Sequence, residues 1–241
     1  MVERVVSEIV FPLGTNEESV TEFVTLSSAT QDNLLITGDS GTGKSFYLQS
    51  VIRYLLGNYA PEQLNLWLGE AQAAIEFDRY ADPAYASMVR VFPFRDSDDS
   101  NAFIDTLFAE FLRRCRIIFP DGFLSSDQFY SAERHCLPRL LVITEHMELI
   151  VGYADPIRLR KLERMLSCAN YVGMHFVCSA LFRDLIPKEI LLCFKYDLMT
   201  TVHKPVFPKD PPRRFDHQLS FGYGLLNYPD FHLVNLDWNK K

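Results

Sequence analysis

The chain has 241 residues, 48% of them hydrophobic and 23% charged, with a formal net charge of -7 and a pI near 5.4. That supplies a sizeable core for one domain and argues against blanket attraction to nucleic acid. Five scattered cysteines without a CxxC pair read as reduced core residues, the opening MVERVVSEIVFPLG is too acidic for a secretory signal, and no run approaches the roughly 18 apolar residues of a membrane span.

In chain order, residues 1–32 predict short strands, Val5 to Phe11 and Phe23 to Leu26, divided by polar turns. Leu34–Thr37 reads as a short buried strand. Leu48, Val51, Ile52 and Leu55 then form the i, i+3, i+4, i+7 stripe of a helix that stops at Gly57-Asn58. Strands are expected at Leu64–Leu68 and Met88–Phe92. Asp98-Asp99-Ser100 predicts the cap of a long helix with Ile104, Leu107, Phe108, Phe111, Leu112 and Cys115 on one face. Leu140–Thr144 reads as a buried strand, Ile157–Leu166 as a helix, Met174–Ala180 as a strand, and Leu185–Phe194 as a short helix or strand. His203–Arg214, with four prolines and four basic residues, reads as a linker, and Phe221–Leu226 with Phe231–Leu236 as a terminal hairpin. Strands alternating with helices imply an α/β fold with a mostly parallel sheet covered on both faces.

The most informative stretch is Gly38-Asp39-Ser40-Gly41-Thr42-Gly43-Lys44-Ser45, which fits G-x-x-x-x-G-K-[ST] in full. Glycines let the main chain curl so that several N–H groups point at phosphate oxygens. The following helix adds the positive end of its dipole. Lys44 is expected to reach the β and γ phosphates and Ser45 Oγ to hold Mg²⁺, with Phe46 at the edge of the site. The motif follows an apolar strand and opens an amphipathic helix, the context that its chemistry requires.

Hydrolysis also needs an acid at the end of a neighbouring strand and a group that orients water. In PRLLVITEHMELI, residues 138–150, four apolar residues run into Thr144-Glu145. Glu145 has two readings, a general base or an exposed acid at the start of a helix, where acids are favoured anyway.

With these motifs in view, the chain resembles the FtsK/SpoIIIE branch of P-loop motor ATPases, in the HerA/FtsK superfamily, which includes DNA translocases and type VII secretion ATPase modules. The likeness runs from Phe11 to Leu226 through FPLG at 11–14, NLLITGDSGTGKS, APEQLNLWLGE at 60–70, AFIDTLFAEFLRRCRIIF at 102–119, LPRLLVITEHMEL at 137–149, CANYVGMHFVCSALFR at 168–183 and FGYGLL at 221–226. It implies a RecA-like P-loop NTPase fold with a mostly parallel central sheet, helices on both faces and a C-terminal β-hairpin. Residues 1–32 are then lead-in strands packed on the core, and 33–241 an FtsK-like ATPase domain, one domain overall. It also implies ATP and Mg²⁺ as cofactors, a cytoplasmic location with any membrane recruitment through a partner, and a ring of subunits within a translocation or secretion complex.

Four functional slots depart from the family's pattern. Gly69-Glu70-Ala71 stands for Asp-Pro-Lys, Thr144 for the metal-holding Asp, Asn170 for the trans-acting arginine, and Ala180-Leu181 for the polar Thr-Gln sensor. An arginine finger is worth about 10³–10⁵ in rate, so these losses imply slow hydrolysis or none. The chain therefore reads first as an ATP-binding module of a larger assembly. An active ring ATPase moving DNA or protein, and an interaction protein with a relic loop, remain as alternatives. DNA as cargo is not supported by the charge.

Other residues have blander expectations. The six histidines show no metal-ligand spacing; His175 reads as core, and His146, beside Glu145, could touch the site, although such a residue more often sits on a helix surface. Arg164 and Arg183, weighed as substitute fingers, read as solvated surface. Arg113, Arg114 and Arg116 suit a helix C-terminus. Arg158, Arg160, Lys161 and Arg164 suit a solvated face more than a nucleic-acid stripe. Phe46 and Tyr47 could approach an adenine, but such residues more often pack.

Overall fold

The computed structural model describes residues 7–30, 32–71, 77–133, 137–200, 223–227 and 232–236. The expected linker at 203–214, together with Cys136, His135, His217 and Trp238, lies outside them. The strands are β1 Glu8–Thr15, β2 Thr21–Ser27, β3 Leu34–Thr37, β4 Leu64–Ala71, β5 Val89–Phe94, β6 Arg139–Thr144, β7 Met174–Ala180, β8 Tyr196–Met199, β9 Tyr223–Leu226 and β10 His232–Asn235. The helices are α1 Lys44–Asn58, α2 Ser97–Ile118, α3 Ser126–Glu133, α4 Met147–Tyr153, α5 Pro156–Cys168 and α6 Lys188–Leu191. Among the described residues no helix is long and apolar enough to cross a membrane.

All ten strands join one sheet in the order β2-β1-β10-β9-β8-β3-β7-β6-β4-β5. From β8 to β5 every pairing is parallel, and from β8 through β9, β10 and β1 to β2 every pairing is antiparallel. Alternation along β6 shows how the parallel part is buried. Leu140 and Val142 join α2, α4 and α5 on one face, while Leu141 and Ile143 join α1 on the other. Both faces are dry, so the strand reads as a continuous apolar run. The expected RecA-like sheet with helices on both faces and a C-terminal hairpin is present.

Several local expectations shift. The cap of α2 is Asp96, whose carboxylate accepts from the N–H groups of Asp98 and Asp99; those two acids sit in the first turn instead. Of the two readings for 185–194, a short helix or a strand, the structure has the short helix, α6. Strand β8 and helix α3 are additions. α3 is fastened by Asp127, which bonds the buried Arg139 of β6 and accepts from Ser28. Arg114, also buried, bonds Glu110 and the carbonyls of Val172 and Pro138. His175 is fully buried and its pKa falls to about 3, because desolvation and the nearby Arg139 and Arg114 disfavour its cation. It is a neutral core residue. Of the described cysteines, Cys178 and Cys193 are buried, Cys115 and Cys168 are half-buried, and all four are thiols.

Candidate functional site

The loop Gly38–Gly43 leaves the end of β3 and enters α1. Gly38, Gly41 and Gly43 have φ of 148°, 79° and 99°, backbone angles that side chains rarely tolerate. Gly43 occupies the cap position of α1 with no side-chain cap, and the first turn carries no acid. The N–H groups and positive dipole of a 15-residue helix are therefore offered to the space above it. Hydroxyls anchor the loop from behind. Thr42 Oγ1 donates to the Asp39 carbonyl at 2.8 Å and meets Thr200 Oγ1 at 2.6 Å. Thr200, just past β8, returns to the Thr37 carbonyl through its N–H at 2.7 Å and its hydroxyl at 3.0 Å.

Lys44 is buried, and its ammonium donates to the carbonyls of Gly38 and Asp39, each at 2.7 Å. Burial pushes it below the usual lysine range, against the opposing pull of Glu148, Asp39 and Glu145. A cavity of about 330 Å³ opens beside it, lined by Ser40, Gly41, Gly43, Ser45 and Phe46 from the loop and α1, and by Glu145, His146, Ser179, Ala180 and Leu181 opposite. Gly38, Asp39 and Thr42 of the motif are not among the lining residues. Phe46 is half exposed at the rim, whereas Tyr47 is fully buried and donates to the Pro12 carbonyl. Only Phe46 of that pair is positioned to meet a ligand.

Strand pairing explains the opposite wall. β7 lies between β3 and β6, so the carboxyl ends of β6 and β7 face the loop. Thr144 pairs in register with Cys178 and Gly69 and is buried. Glu145 is buried as well, its N–H donating to the Gly69 carbonyl at 3.1 Å, which rules out the reading of an exposed helix-opening acid. His146 takes the first of its two readings. It lines the cavity and precedes α4 with left-handed angles, φ 55° and ψ 51°. Its Nδ1 lies 3.0 Å from Glu148 Oε1, and Glu148 Oε2 accepts from the Leu181 N–H at 3.2 Å.

The altered slots acquire physical content. Glu70 is buried and accepts from the Phe77 N–H. Asn170 is buried and donates to the Ser28 carbonyl, so this slot offers no side chain to a neighbouring subunit. Arg183 is not a solvated surface residue. Its guanidinium grips the buried Asp197 of β8, with Nε 3.0 Å from Oδ2. Arg164 is exposed. On α5, Arg158 and Lys161 both pair with Asp105, which neutralises much of that basic stripe. Glu148 and Thr200 were missed by sequence reasoning; the three-residue step from Glu145 to Glu148 was the only hint of the first.

The arrangement fits a polyphosphate with Mg²⁺. The open amino end of α1, the left-handed glycines and the Lys44 ammonium converge on one cavity, with Ser45 in the first turn. Among the described residues no group of three or more His, Cys, Asp or Glu could hold a metal ion; Ser45 would have to share Mg²⁺ with phosphates and water.

The FtsK/SpoIIIE family profile matches residues 4–196. No curated protein matches. Among solved structures, EssC (ATPases 2 and 3) from Geobacillus thermodenitrificans is 15% identical with a TM-score of 0.73, covering 96% of this chain and 45% of that one. Thermomonospora curvata EccC (ATPases 2 and 3), solved with a signal sequence peptide, is 19% identical with a TM-score of 0.69, covering 95% and 40%. The pCW3 conjugation coupling protein TcpA, a monomer form with ATPγS, is 13% identical with a TM-score of 0.68, covering 94% and 65%. The chain thus spans less than half the length of the EssC and EccC structures. At these identities the likeness is one of fold.

Proposed function

The chain belongs to the FtsK/SpoIIIE family, and from that premise we propose that it is an ATP-binding module, slow or inert in hydrolysis, serving a translocation or secretion assembly. The observation that carries this reading is the Lys44 ammonium seated between a left-handed glycine loop and a wall where Thr144 stands in the metal-holding slot. On binding, Lys44 exchanges its two loop carbonyls for phosphate oxygens, and the N–H groups of the loop and of α1 take the remaining phosphate charge. Ser45 Oγ would hold Mg²⁺. Mg²⁺, when bound, neutralises and orients the phosphates. Thr144 adds no charge beside them, and Asn170 and Arg183 are committed within the chain.

Glu145 favours a second reading. Glu145 is among the residues lining the cavity, so an active ring ATPase with Glu145 as base and arginines from a neighbour is the alternative. Cargo is proposed to be a peptide or protein rather than DNA. The acidic chain and the internally paired α5 stripe suit this, and EccC, of the same fold, was solved with a signal sequence peptide. A cytoplasmic location with recruitment by partner subunits belongs to the same proposal.

Calorimetry with ATP, with and without Mg²⁺, followed by phosphate release on the same sample, tests it. Binding with turnover near background is expected. Steady turnover that collapses in Glu145→Gln would overturn slow hydrolysis in favour of the active ATPase. No binding at millimolar ATP would leave an interaction protein with a relic loop.

A further inference from the structure

We infer that His146, oriented by Glu148, is the residue that contacts the terminal phosphate of the bound nucleoside triphosphate. This rests on the ATP-binding reading above. His146 lines the same cavity as Ser40, Gly43, Lys44 and Ser45. Its backbone is left-handed, a conformation that among the described residues only one other non-glycine, Ser19, adopts. For a residue other than glycine this is strained, and such strain persists where the surroundings hold it for a purpose. What it achieves is visible: the ring is turned onto Glu148, at 3.0 Å.

Glu148 is itself a fixed group. It is buried, and its second oxygen accepts from the Leu181 N–H at the end of β7. An ionised carboxylate only accepts hydrogen bonds, so Nδ1 carries the proton and Nε2 is left for the contents of the cavity. The groups facing the ring are Glu148 and Glu145 from its own segment and Lys44 from α1. The bond to Glu148 outweighs burial and the repulsion of Lys44, and raises the imidazole above its ordinary pKa. Held at Nδ1 by Glu148, the ring lines the wall of the cavity that faces Lys44, and in its cationic form it donates from Nε2 as well. No described arginine is among the residues lining the cavity, and Arg183 is held by Asp197.

Calorimetry with ATPγS and ADP, both with Mg²⁺, tests the assignment on the full chain. His146→Gly keeps the left-handed backbone and removes the ring. It is expected to weaken ATPγS about tenfold while leaving ADP nearly unchanged, the value of one charge-assisted hydrogen bond. His146→Arg restores the preference. In the wild type the preference for ATPγS fades as pH rises through the raised imidazole pKa, whereas in His146→Arg it does not fade. Glu148→Gln, at the positioning residue, shifts that fading to lower pH. Equal loss of both nucleotides in His146→Gly, an unchanged ratio of their affinities, or an unmoved pH profile in Glu148→Gln would overturn the inference. If melting without nucleotide shows His146→Gly to be unfolded, His146→Asn, which tolerates the same backbone, is measured against the same outcomes. Wild-type protein that binds neither nucleotide would instead defeat the ATP-binding reading itself.

Discussion

On one side of the cavity the chain works with main chain, and on the other with side chains. From Gly38 to Gly43 the shape is set by glycine dihedrals and by carbonyls that Lys44 and Thr42 hold in place. Across the gap, β6 and β7 end in Thr144, Glu145, His146, Ala180 and Leu181, whose contribution depends on which group each side chain carries. A backbone cradle loses its geometry when a glycine is replaced, so it survives whole or not at all. A wall of side chains changes one residue at a time. On the proposed reading, holding a nucleotide and hydrolysing it are separable here, because the loop keeps the full motif while Thr144 and Ala180-Leu181 depart from the family's pattern.

Three substitutions probe that separation, beginning with the largest expected effect. Lys44→Ala should remove nucleotide-dependent stabilisation, about 2.7 kcal/mol at a hundredfold excess over Kd. Melting without nucleotide should still report a folded protein. Retained affinity would break the comparison at its stronger side. Gly69→Ala acts only on the wall. A Cβ there would lie 2.9 Å from the Phe103 ring and 3.0 Å from Thr144 Cγ2, and such overpacking costs about 1–3 kcal/mol. Urea unfolding should show that loss while nucleotide affinity holds. If both fall together, the two sides are not independent. The smallest effect is expected from Thr144→Asp, which returns a carboxylate to the strand end. It should tighten Mg²⁺-nucleotide about fivefold relative to Mg²⁺-free nucleotide, the difference between a charged and a neutral hydrogen-bond acceptor. An unchanged ratio would mean that Thr144 lies out of reach of the ion.

Much of the frame was legible because it rests on local patterns. Leu34–Thr37 and Met174–Ala180 stand where their apolar runs put them, and α1 ends at the expected Gly57-Asn58. Two elements were hidden because distant partners hold them. β8 carries an acid, Asp197, that reads as loop until Arg183 neutralises it. α3 has the polar sequence SDQFYSAE, and its anchor is Arg139, a dozen residues further on. The candidate site divides the same way. The loop's residues could be read in order, because the motif is contiguous. The partnership of His146 and Glu148 with Leu181 depends on α4 packing beside the end of β7, which no spacing in the sequence expresses. Asp96 took the cap of α2 from Asp98 because its extended backbone lets one carboxylate meet two N–H groups.

The threonine relay behind the loop has a mechanical consequence. Thr200 grips both Thr37 and Thr42, and it follows directly on β8, which pairs with β3 on one edge and with the carboxyl-terminal β9 on the other. Only β8 therefore separates the hairpin from β3 and the glycine loop that follows it. Leu226 and Val234 of the hairpin share one core with Leu198 of β8 and with Leu34 and Ile36 of β3, so the anchor behind the loop is braced by packed side chains as well as by strand pairing.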